Sequence, residues 1–466
     1  MMPLRQWQAE CVKLTLERYD SGHQHFLCLA TPGAGKSVMA AEVAFSLFKG
    51  NKIDFVLCFS PSTAISQGLE QTFTSRLNCR FDGIIGALGA SYTYQNLQFF
   101  DDKFWELIKK NRVLVVFDEI HHCAGSSLKD ANSWGEKIIE NIQFQATYTL
   151  ALSGTPWRSD KAPICLSNYI NPNNEIECNY VYGLNQAISD GVCRSPKIVL
   201  VDNEKITLKS SKSEAKSFTC INDFLNDSFG SYQTLINDEK CMMYLLEKGI
   251  EKLEKIRKNK KNAAGLVVAS SVEHAIRLFS ILSNEFKKDT VLVTYKHNDP
   301  TSTINHFRHS EAEWIVSVGM VSEGTDIPRL QVCCHLSRVK TELYFRQVLG
   351  RILRVNNGDN QEAWLYTFAE PNLVEYAHRI DQEIPEQNLI FCEDMDVAVF
   401  TPLEPKENDS KGLISDIRIG LGEWCPLNEK SSEFPFTGVS NYLEESDEHY
   451  FDIVGSFRQQ IVDVFR

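Results

Sequence analysis

A glycine-rich turn near the start of the chain constrains the fold more than any other feature. An apolar run over 26–29 precedes it and favours a buried strand, while helix formers fill 38–44. Strand, glycine-rich turn and helix in this order are typical of a phosphate-binding loop, in which backbone N–H groups and the helix dipole bind polyphosphate. We expect Lys36 to reach the β and γ phosphates and the Ser37 hydroxyl to bind Mg²⁺. The residues expected to contact the nucleotide are Thr31, Pro32, Gly33, Ala34, Gly35, Lys36 and Ser37.

A pair of adjacent carboxylates, Asp118 and Glu119, follows a second apolar run over 113–117. Carboxylates at strand ends also occur as plain helix caps. Combined with the glycine-rich turn, the pair instead favours nucleotide hydrolysis. Asp118 would then hold Mg²⁺ opposite Ser37, and Glu119 would orient and deprotonate the attacking water.

Short apolar segments alternate with helix-like segments along most of the chain, as in a doubly wound α/β fold with parallel sheets. Ligands of such sheets bind at the carboxyl ends of the strands, where the turn and the carboxylate pair would meet. The predicted strands are 26–29, 55–59, 83–87, 113–117 and 148–152 in a first unit, and 265–269, 291–294, 314–318, 332–336 and 363–368 in a second.

Four regions follow from this pattern. They are a nucleotide-binding unit over 1–202, a helical insert over 203–262, a second α/β unit over 263–370 and an accessory region over 371–466. We expect the basic run 252–261 at the end of the insert to be a solvated helix face, with phosphate contact as the alternative. A helical stripe over 450–466 predicts a C-terminal helix.

The net charge of −13 lies in the accessory region, since 371–466 holds 7 basic and 20 acidic residues and the rest of the chain is neutral. A neutral body can still present basic stripes to nucleic acid. The 14 cysteines include no Cys-x-x-Cys pair, which argues against a zinc ribbon and for buried thiols in a reducing compartment. With no apolar run long enough to cross a bilayer, we expect a cytoplasmic protein without membrane contact.

The carboxylate pair begins the sequence Asp118-Glu119-Ile120-His121, which resembles a DEAH box. The chain thereby resembles the superfamily 2 helicases and translocases, and more narrowly the family that includes the motor subunits of type I and type III restriction enzymes. This resemblance implies two tandem RecA-like lobes that use ATP and Mg²⁺. It also implies a catalytic role for His121. The loop with alanine at position 30 is similar to this family's own form.

Further motifs of the first unit follow in the family's order. Leu4-Arg5-Gln6-Trp7-Gln8 resembles an adenine-reading segment, in which Gln8 would bind the base edge and Arg5 would support it. Ser60-Pro61-Ser62 resembles motif Ia and Thr93-Tyr94-Gln95 a backbone-contacting segment, which implies nucleic-acid contacts at Pro61, Ser62 and Thr93. Ser153-Gly154-Thr155-Pro156 resembles motif III. Trp157-Arg158 after it could stack on a base, although packing is the simpler interpretation.

The second unit carries the remaining motifs. Residues 266–271 resemble motif IV, which implies a nucleic-acid contact at Ser270, and we expect another at Thr294. Residues 320–328 closely match motif V, which implies nucleotide contacts by Gly324 and Asp326. Residues 344–354 closely match motif VI, whose spacing puts Gln347, Arg351 and Arg354 on one side of a helix, facing the γ-phosphate. Guanidinium groups suit phosphate because they stay charged and bind it bidentately.

The resemblance predicts an ATP-dependent motor that most plausibly acts on DNA in repair, restriction or anti-phage defence. A nuclease or another defence subunit would then be a separate chain. Two alternatives stay open: an RNA-directed ATPase, because such motors hold the backbone rather than the bases, and a nucleotide-gated binding subunit. The acidic region could occupy the nucleic-acid groove or dock a basic partner, but a solvated accessory domain is the simpler hypothesis.

Overall fold

The computed structural model describes residues 3–155, 162–170, 175–210, 213–228, 230–295, 299–319, 327–355, 362–382, 388–391, 449–453 and 455–463. The strands are β1 His25–Ala30, β2 Phe55–Ser60, β3 Gly89–Thr93, β4 Val113–Asp118, β5 Tyr148–Ser153, β6 Asn168–Ile170, β7 Glu175–Glu177, β8 Tyr180–Tyr182, β9 Ser195–Asn203, β10 Ile206–Ser210, β11 Ser213–Phe218, β12 Ala264–Ala269, β13 Thr290–Val293, β14 Trp314–Ser317, β15 Leu330–Leu336, β16 Glu362–Phe368, β17 Asn388–Phe391, β18 His449–Ile453 and β19 Phe457–Asp463.

The helices are α1 Gln6–Asp20, α2 Lys36–Lys49, α3 Thr63–Leu77, α4 Asp102–Lys110, α5 Ser133–Asn141, α6 Leu184–Ser189, α7 Ile221–Leu225, α8 Tyr232–Asn237, α9 Glu239–Arg257, α10 Val272–Ser280, α11 Pro300–His309, α12 Glu342–Ile352 and α13 Pro371–Gln382. Short 3₁₀ turns cover Tyr94–Gln98 and Ile120–His122, and a π turn covers Ile281–Glu285.

The first sheet is parallel throughout, in the order β3-β2-β4-β5-β1-β8. Its central strand β4 is buried along its whole length, as expected for a strand covered on both faces. Helix α1 is fixed to this sheet by the Trp7 ring, which stacks on Tyr182 of β8 with the ring centres 4.7 Å apart. The order brings the ends of β1, β4 and β5 side by side at one edge.

The second sheet has the order β13-β14-β12-β15-β16-β9-β19-β17. Its first six strands are parallel, and β19 and β17 close the far side in antiparallel pairing. Within the described ranges, two parallel sheets with helices between their strands thus confirm the predicted tandem α/β fold.

Strand β9 lies in the second sheet, between β16 and β19, although its sequence falls within the predicted first unit. Seven residue pairs join it to β16 and seven join it to β19. The chain therefore crosses from one sheet to the other just before Ser195. The boundaries between the four predicted regions stay predictions.

One predicted strand, 83–87, is wrong. The strand at this edge of the first sheet is β3, Gly89–Thr93, and 83–87 forms a turn before it. Gly83 and Gly86 have φ of +72° and +89°, conformations that a strand does not contain. The apolar side chains that led to the strand prediction are exposed, Ile85 at 97%.

Two helix predictions need correction. Residues 206–210 and 213–218 of the predicted helical insert form the antiparallel strands β10 and β11, and the helices α7, α8 and α9 come after them. The predicted C-terminal helix is wrong, because β18 pairs with β10 and β19 pairs with β9. A strand partner some 250 residues away supplies backbone hydrogen bonds that no local stripe reveals. Of that stripe, Val454 and Phe465 lie outside the described residues.

Apolar side chains fill both faces of the two sheets, with a large cluster that runs through both units and a smaller one under β4. Of the twelve cysteines in the described part of the chain, nine are buried. No helix among the described residues has the length and apolar character needed to span a bilayer.

Candidate functional site

The glycine-rich turn connects β1 to α2 as predicted. Gly33 and Gly35 adopt φ of +84° and +96°, the left-handed region where a side chain is strained. The turn closes with a hydrogen bond from the Ala34 N–H to the Thr31 carbonyl, 3.2 Å long. A Cβ on Gly35 would lie 2.7 Å from Nε2 of Gln8, so a larger residue there would displace the Gln8 amide. Pro32 and Ser37 flank these glycines and are partly exposed, and α2 begins at Lys36.

Arg5 and Gln8 lie against this turn. The Arg5 guanidinium donates to the Ala34 carbonyl at 2.7 Å, and Gln8 Nε2 donates to the Gly35 carbonyl at 2.9 Å. Gln8 Oε1 in turn accepts the Arg5 backbone N–H at 2.9 Å. These contacts use one N–H donor and one oxygen lone pair of the Gln8 amide. Its second donor and second lone pair could form the two hydrogen bonds that adenine recognition requires. That recognition stays a prediction.

Lys36 is buried between the turn and the carboxylate pair. Its Nζ donates to the Ala30 carbonyl at 3.2 Å and lies 3.3 Å from Oε1 of Glu119. Burial, and then the neighbouring Glu119 carboxylate, raise the pKa of Asp118, while Lys36 opposes them. Burial also disfavours the Glu119 carboxylate, but Lys36 and the His121 ring outweigh it and lower the pKa of Glu119. Glu119 is therefore the charged partner of Lys36.

A hydrogen-bonded network links the DEAH-like residues to the end of β5. Glu119 Oε2 accepts the Gly154 N–H at 3.2 Å. Nδ1 of His121 lies 3.0 Å from the Ser153 hydroxyl and 3.3 Å from the Thr155 hydroxyl. His121 and Glu119 thus both contact the segment that resembles motif III.

The second sheet supplies residues to the same turn. A Cβ on Gly33 would lie 2.9 Å from Cγ of Arg354, and a Cβ on Gly350 would lie 2.8 Å from Cβ of Pro32. Arg354 and the end of α12 therefore pack directly on the glycine-rich turn. Arg351 and Gln347 lie on α12 and are half-buried. The prediction that Arg354 shares one helix face with them is wrong, because α12 ends at Ile352 and the backbone of Arg354 pairs with Cys193 instead.

Two predicted nucleotide contacts, Gly324 and Asp326, lie outside the described residues, as do Trp157 and Arg158. The predicted nucleic-acid contacts of the first unit lie at the carboxyl edge of its sheet. Ser62 begins α3, where its hydroxyl accepts the Ile65 N–H, and Pro61 beside it is half-buried. Thr93 ends β3, and its hydroxyl donates to Asn96 at 2.8 Å.

Of the two predicted contacts in the second unit, Ser270 is half-buried and follows β12. Its hydroxyl lies 2.8 Å from Nδ1 of His274. Thr294 follows β13 but is buried, at 1% exposure, so its side chain is not at the surface. Nucleic-acid contact by these residues stays a prediction.

Arg194 is a residue that no sequence motif identifies. It is buried at 1% exposure, and its guanidinium donates to the carbonyls of Pro328, Leu330 and Ile352. Its backbone N–H donates to the Leu353 carbonyl at 2.7 Å. Burial lowers the pKa of Arg194 to about 9. One buried cation therefore ties the start of β15 to the end of α12, next to Arg354.

The predicted Mg²⁺ ligands suit that ion. Ser37 and Asp118 offer a hydroxyl and a carboxylate, the oxygen donors that Mg²⁺ prefers. Across the described ranges, no group of three or more His, Cys, Asp and Glu side chains is placed to hold a metal. Mg²⁺ commonly binds through one or two protein ligands and completes its shell with water and phosphate oxygens.

Two family models match separate parts of the chain. "Type III restriction enzyme, res subunit" matches residues 1–158, and "Helicase conserved C-terminal domain" matches residues 248–356. An uncharacterized protein of Mycobacterium leprae is 27% identical over 405 residues, 82% of this chain and 64% of that protein. The DNA 3'-5' translocase XPB2 of Sulfurisphaera tokodaii is 24% identical over 376 residues, 75% of this chain and 78% of that protein.

The chain spans less than two thirds of the length of the mycobacterial relatives that it matches. Among solved structures, a fragment assigned to the HsdR subunit of a type I restriction enzyme from Vibrio vulnificus YJ016 superposes with a TM-score of 0.54. The alignment has 16% identity and covers 80% of this chain and 67% of that chain. This likeness shows the fold, two tandem RecA-like lobes.

Proposed function

The chain belongs to the superfamily 2 helicases and translocases, with a first lobe of the type III restriction subunit kind, and we propose that it moves along DNA by hydrolysing ATP. Its setting would be repair, restriction or anti-phage defence, with any nuclease on another chain. The name of the Sulfurisphaera tokodaii relative, a DNA 3'-5' translocase, favours DNA over RNA.

One observation carries the proposal: Arg354 of the second lobe packs against Gly33 in the glycine-rich turn of the first. A nucleotide bound in the turn would therefore meet side chains of both lobes. Since phosphoryl transfer depends on positive charge at the γ-phosphate, Arg354 suits the part of an arginine finger, and Arg351 and Gln347 lie on the preceding helix, α12. Binding ATP would close the lobes on each other, and hydrolysis would release them.

The contacts of Lys36 support a defined sequence of events in the first lobe. Lys36 is bound to Glu119 and to the Ala30 carbonyl. When phosphates enter the turn, Lys36 would move to them, which leaves the Glu119 carboxylate free to orient water and take its proton. Gly154 would keep Glu119 in place through its N–H, and His121 would pass the change to β5.

Ser37 and Asp118 would hold Mg²⁺, which neutralises phosphate charge when it is bound. The first lobe offers Pro61, Ser62 and Thr93, and the second lobe Ser270, for contact with a nucleic-acid backbone at the carboxyl edges of the two sheets.

The test is a steady-state ATPase assay of the full chain with duplex DNA, single-stranded DNA or RNA of the same sequence. We expect hydrolysis to rise at least about 10-fold with DNA, an amount that corresponds to roughly 1.4 kcal/mol of barrier. If only RNA stimulates ATP hydrolysis, the DNA proposal is wrong and the protein is an RNA-directed ATPase. Nucleotide binding without hydrolysis under any of these conditions would indicate a nucleotide-gated binding subunit.

A further inference from the structure

A polar cavity of about 590 Å³ lies in the second lobe, and its lining contains none of the residues predicted to contact the nucleotide. One wall comes from the insert, at the end of α7 and the start of α8, and the other comes from the loops that follow β15 and β16. Its lining residues are Leu225, Asn226, Gly230, Ser231, Tyr232, Gln233, Arg338, Lys340, Glu370, Pro371 and Asn372.

The cavity opens at the edge of the sheet where nucleic-acid contacts are predicted. Strands β15 and β16 are parallel to β12, so the loops after all three lie at the same edge. Gln233 of the cavity wall donates from Nε2 to the Ser270 hydroxyl, 3.4 Å away. The cavity is thus adjacent to Ser270, the predicted backbone contact that follows β12.

Two cations line the cavity, and they differ in whether a carboxylate is paired with them. The Glu370 carboxylate accepts hydrogen bonds from Lys340 Nζ at 2.9 Å, Asn372 Nδ2 at 3.0 Å and the Leu373 N–H at 3.1 Å. This acid is 3% exposed and its charge is matched by Lys340. Arg338 is exposed, and within the described part of the chain its guanidinium has no hydrogen-bond or ion-pair partner. An anion would therefore be attracted to Arg338.

The neutral groups of the lining suit a sugar–phosphate chain. Asn226, Ser231 and Asn372 provide amide and hydroxyl groups that can bind phosphate and sugar oxygens. A volume of about 590 Å³ exceeds the space a single small anion needs and lies in the range of pockets for larger ligands. The insert, which the motifs of the two lobes do not explain, supplies half of this lining.

We propose that this cavity binds the sugar–phosphate backbone of the nucleic-acid strand as it passes Ser270, with Arg338 on a phosphate and the turn between α7 and α8 as the second wall. The assignment rests on the proposed function. It gives the insert a role as part of the nucleic-acid track.

The experiment compares Arg338→Gln with Arg277→Gln in the full chain. Arg277 is an exposed arginine in the last turn of α10, a helix that starts beside Ser270 and ends away from it. Binding of a labelled 24-nucleotide single strand is measured by fluorescence anisotropy at several salt concentrations. DNA and RNA versions of the strand are both used, because the backbone is common to them.

Arg338→Gln is expected to weaken binding about 10-fold and to reduce the slope of log affinity against log salt by about 0.7, the value for one phosphate contact in a single strand. The loss should be equal for strands of different sequence, since a backbone contact does not read bases. Arg277→Gln should keep the wild-type affinity and slope. Far-UV circular dichroism of Arg338→Gln should match that of the wild type.

The outcomes separate this proposal from the proposed function. If the wild type binds the strand and Arg338→Gln binds it equally well with an unchanged salt slope, the cavity assignment is overturned and the motor proposal stands. If the loss occurs only for particular sequences, a backbone contact is likewise overturned. If the wild type binds neither DNA nor RNA at any salt concentration, the proposed function and the cavity assignment both fall.

Discussion

At the residue scale, the backbone conformation of Glu119 determines where its carboxylate lies. Its φ of +54° and ψ of +52° lie in the left-handed region, which costs a non-glycine residue about 1–3 kcal/mol. This conformation turns the chain sharply between β4 and the 3₁₀ turn Ile120–His122. The turn places the Glu119 carboxylate against Lys36 and the Gly154 N–H. Such strain often occurs where a group must be held for reaction.

We expect Glu119→Gln to lower the ATP hydrolysis rate constant by at least about 10²-fold, because an amide cannot take the proton of the attacking water. The same variant should still bind ATP, since Lys36 remains. Lys36→Ala should lose both binding and hydrolysis. Hydrolysis is followed by phosphate release and binding by a fluorescent ATP analogue.

The control for these variants is Glu136→Gln, an exposed carboxylate on α5 of the same lobe. It should behave as the wild type. Rapid hydrolysis by Glu119→Gln would show that another group activates the water.

Arg194 differs from Glu119 because its guanidinium donates to three backbone carbonyls. Arg329 offers a matched comparison, as a buried arginine of the same lobe that donates to the carbonyls of Phe307, Asn262 and Ala312. Replacing either by methionine leaves buried acceptors without a donor. We expect a loss of roughly 3 kcal/mol in the free energy of unfolding for each, measured with urea.

Only Arg194→Met should also slow hydrolysis in the folded protein. We expect a decrease of about 10²-fold in kcat, because Arg194 fixes the end of α12 from which Arg354 reaches the turn. Arg194→Lys should recover part of the rate. Equal kcat values for the methionine variants at positions 194 and 329 would show that Arg194 contributes to stability but not to catalysis.

At the scale of elements, the sequence predicts strands that a local apolar run marks. It does not predict the pairing of strands that are distant in the chain. The strands β1, β2, β4, β5, β12 and β15 are continuous apolar runs, and their prediction within one or two residues is confirmed. The turn at 83–87 has the same apolar composition, but its isoleucine side chains are exposed, so the strand predicted there from composition alone is wrong. The pairing of β19 with β9 joins residues about 250 positions apart, and no local pattern reveals it.

Strand β19 is an integral part of the second sheet, since it pairs on both sides with β9 and β17. A chain that ends at residue 456 would lose the apolar contacts of Phe457, Ile461 and Val462. At about 1.5–3 kcal/mol for each side chain, we expect a loss of roughly 5 kcal/mol, comparable to the stability of a whole domain.

Thermal unfolding followed by circular dichroism should show the second lobe melting early or not folding in this truncated chain. An unchanged melting temperature would contradict the pairing of β19. Deletion of 371–466 would for the same reason remove α13, β17, β18 and β19, so it cannot isolate the part played by the acidic residues.

At the scale of the whole molecule, the crossover between the sheets runs beside the nucleotide turn. The Sγ of Cys193 lies 3.7 Å from the carbonyl oxygen of Pro32, and the backbone of Cys193 pairs with that of Arg354. Arg194 and β9 follow directly. The connection that joins the lobes is therefore in contact with the turn at one end and with the second sheet at the other, which suits a site that couples nucleotide binding to lobe movement.

The candidate site was predictable where a short motif carries its own chemistry. The turn around Gly33 and Gly35 and the carboxylate pair are of this kind. The spacing of Arg351 and Arg354 predicted one helix face, but α12 ends before Arg354. Arg194 and the cavity around Arg338 depend instead on packing between distant segments, and a single arginine among many gives no signal in a sequence. The placement of Arg354 against Gly33 was expected only from the family resemblance, and the geometry of the two lobes supports it.

The central claim is that the second lobe completes the nucleotide site through Arg354. Its most direct test is single-turnover ATP hydrolysis by Arg354→Ala in the presence of DNA, beside a measurement of the dissociation constant for ATP. The account predicts a fall of about 10³-fold in the hydrolysis rate constant with ATP affinity within about 3-fold of the wild type. Loss of rate and affinity by the same factor, or full hydrolysis without the arginine, would contradict it.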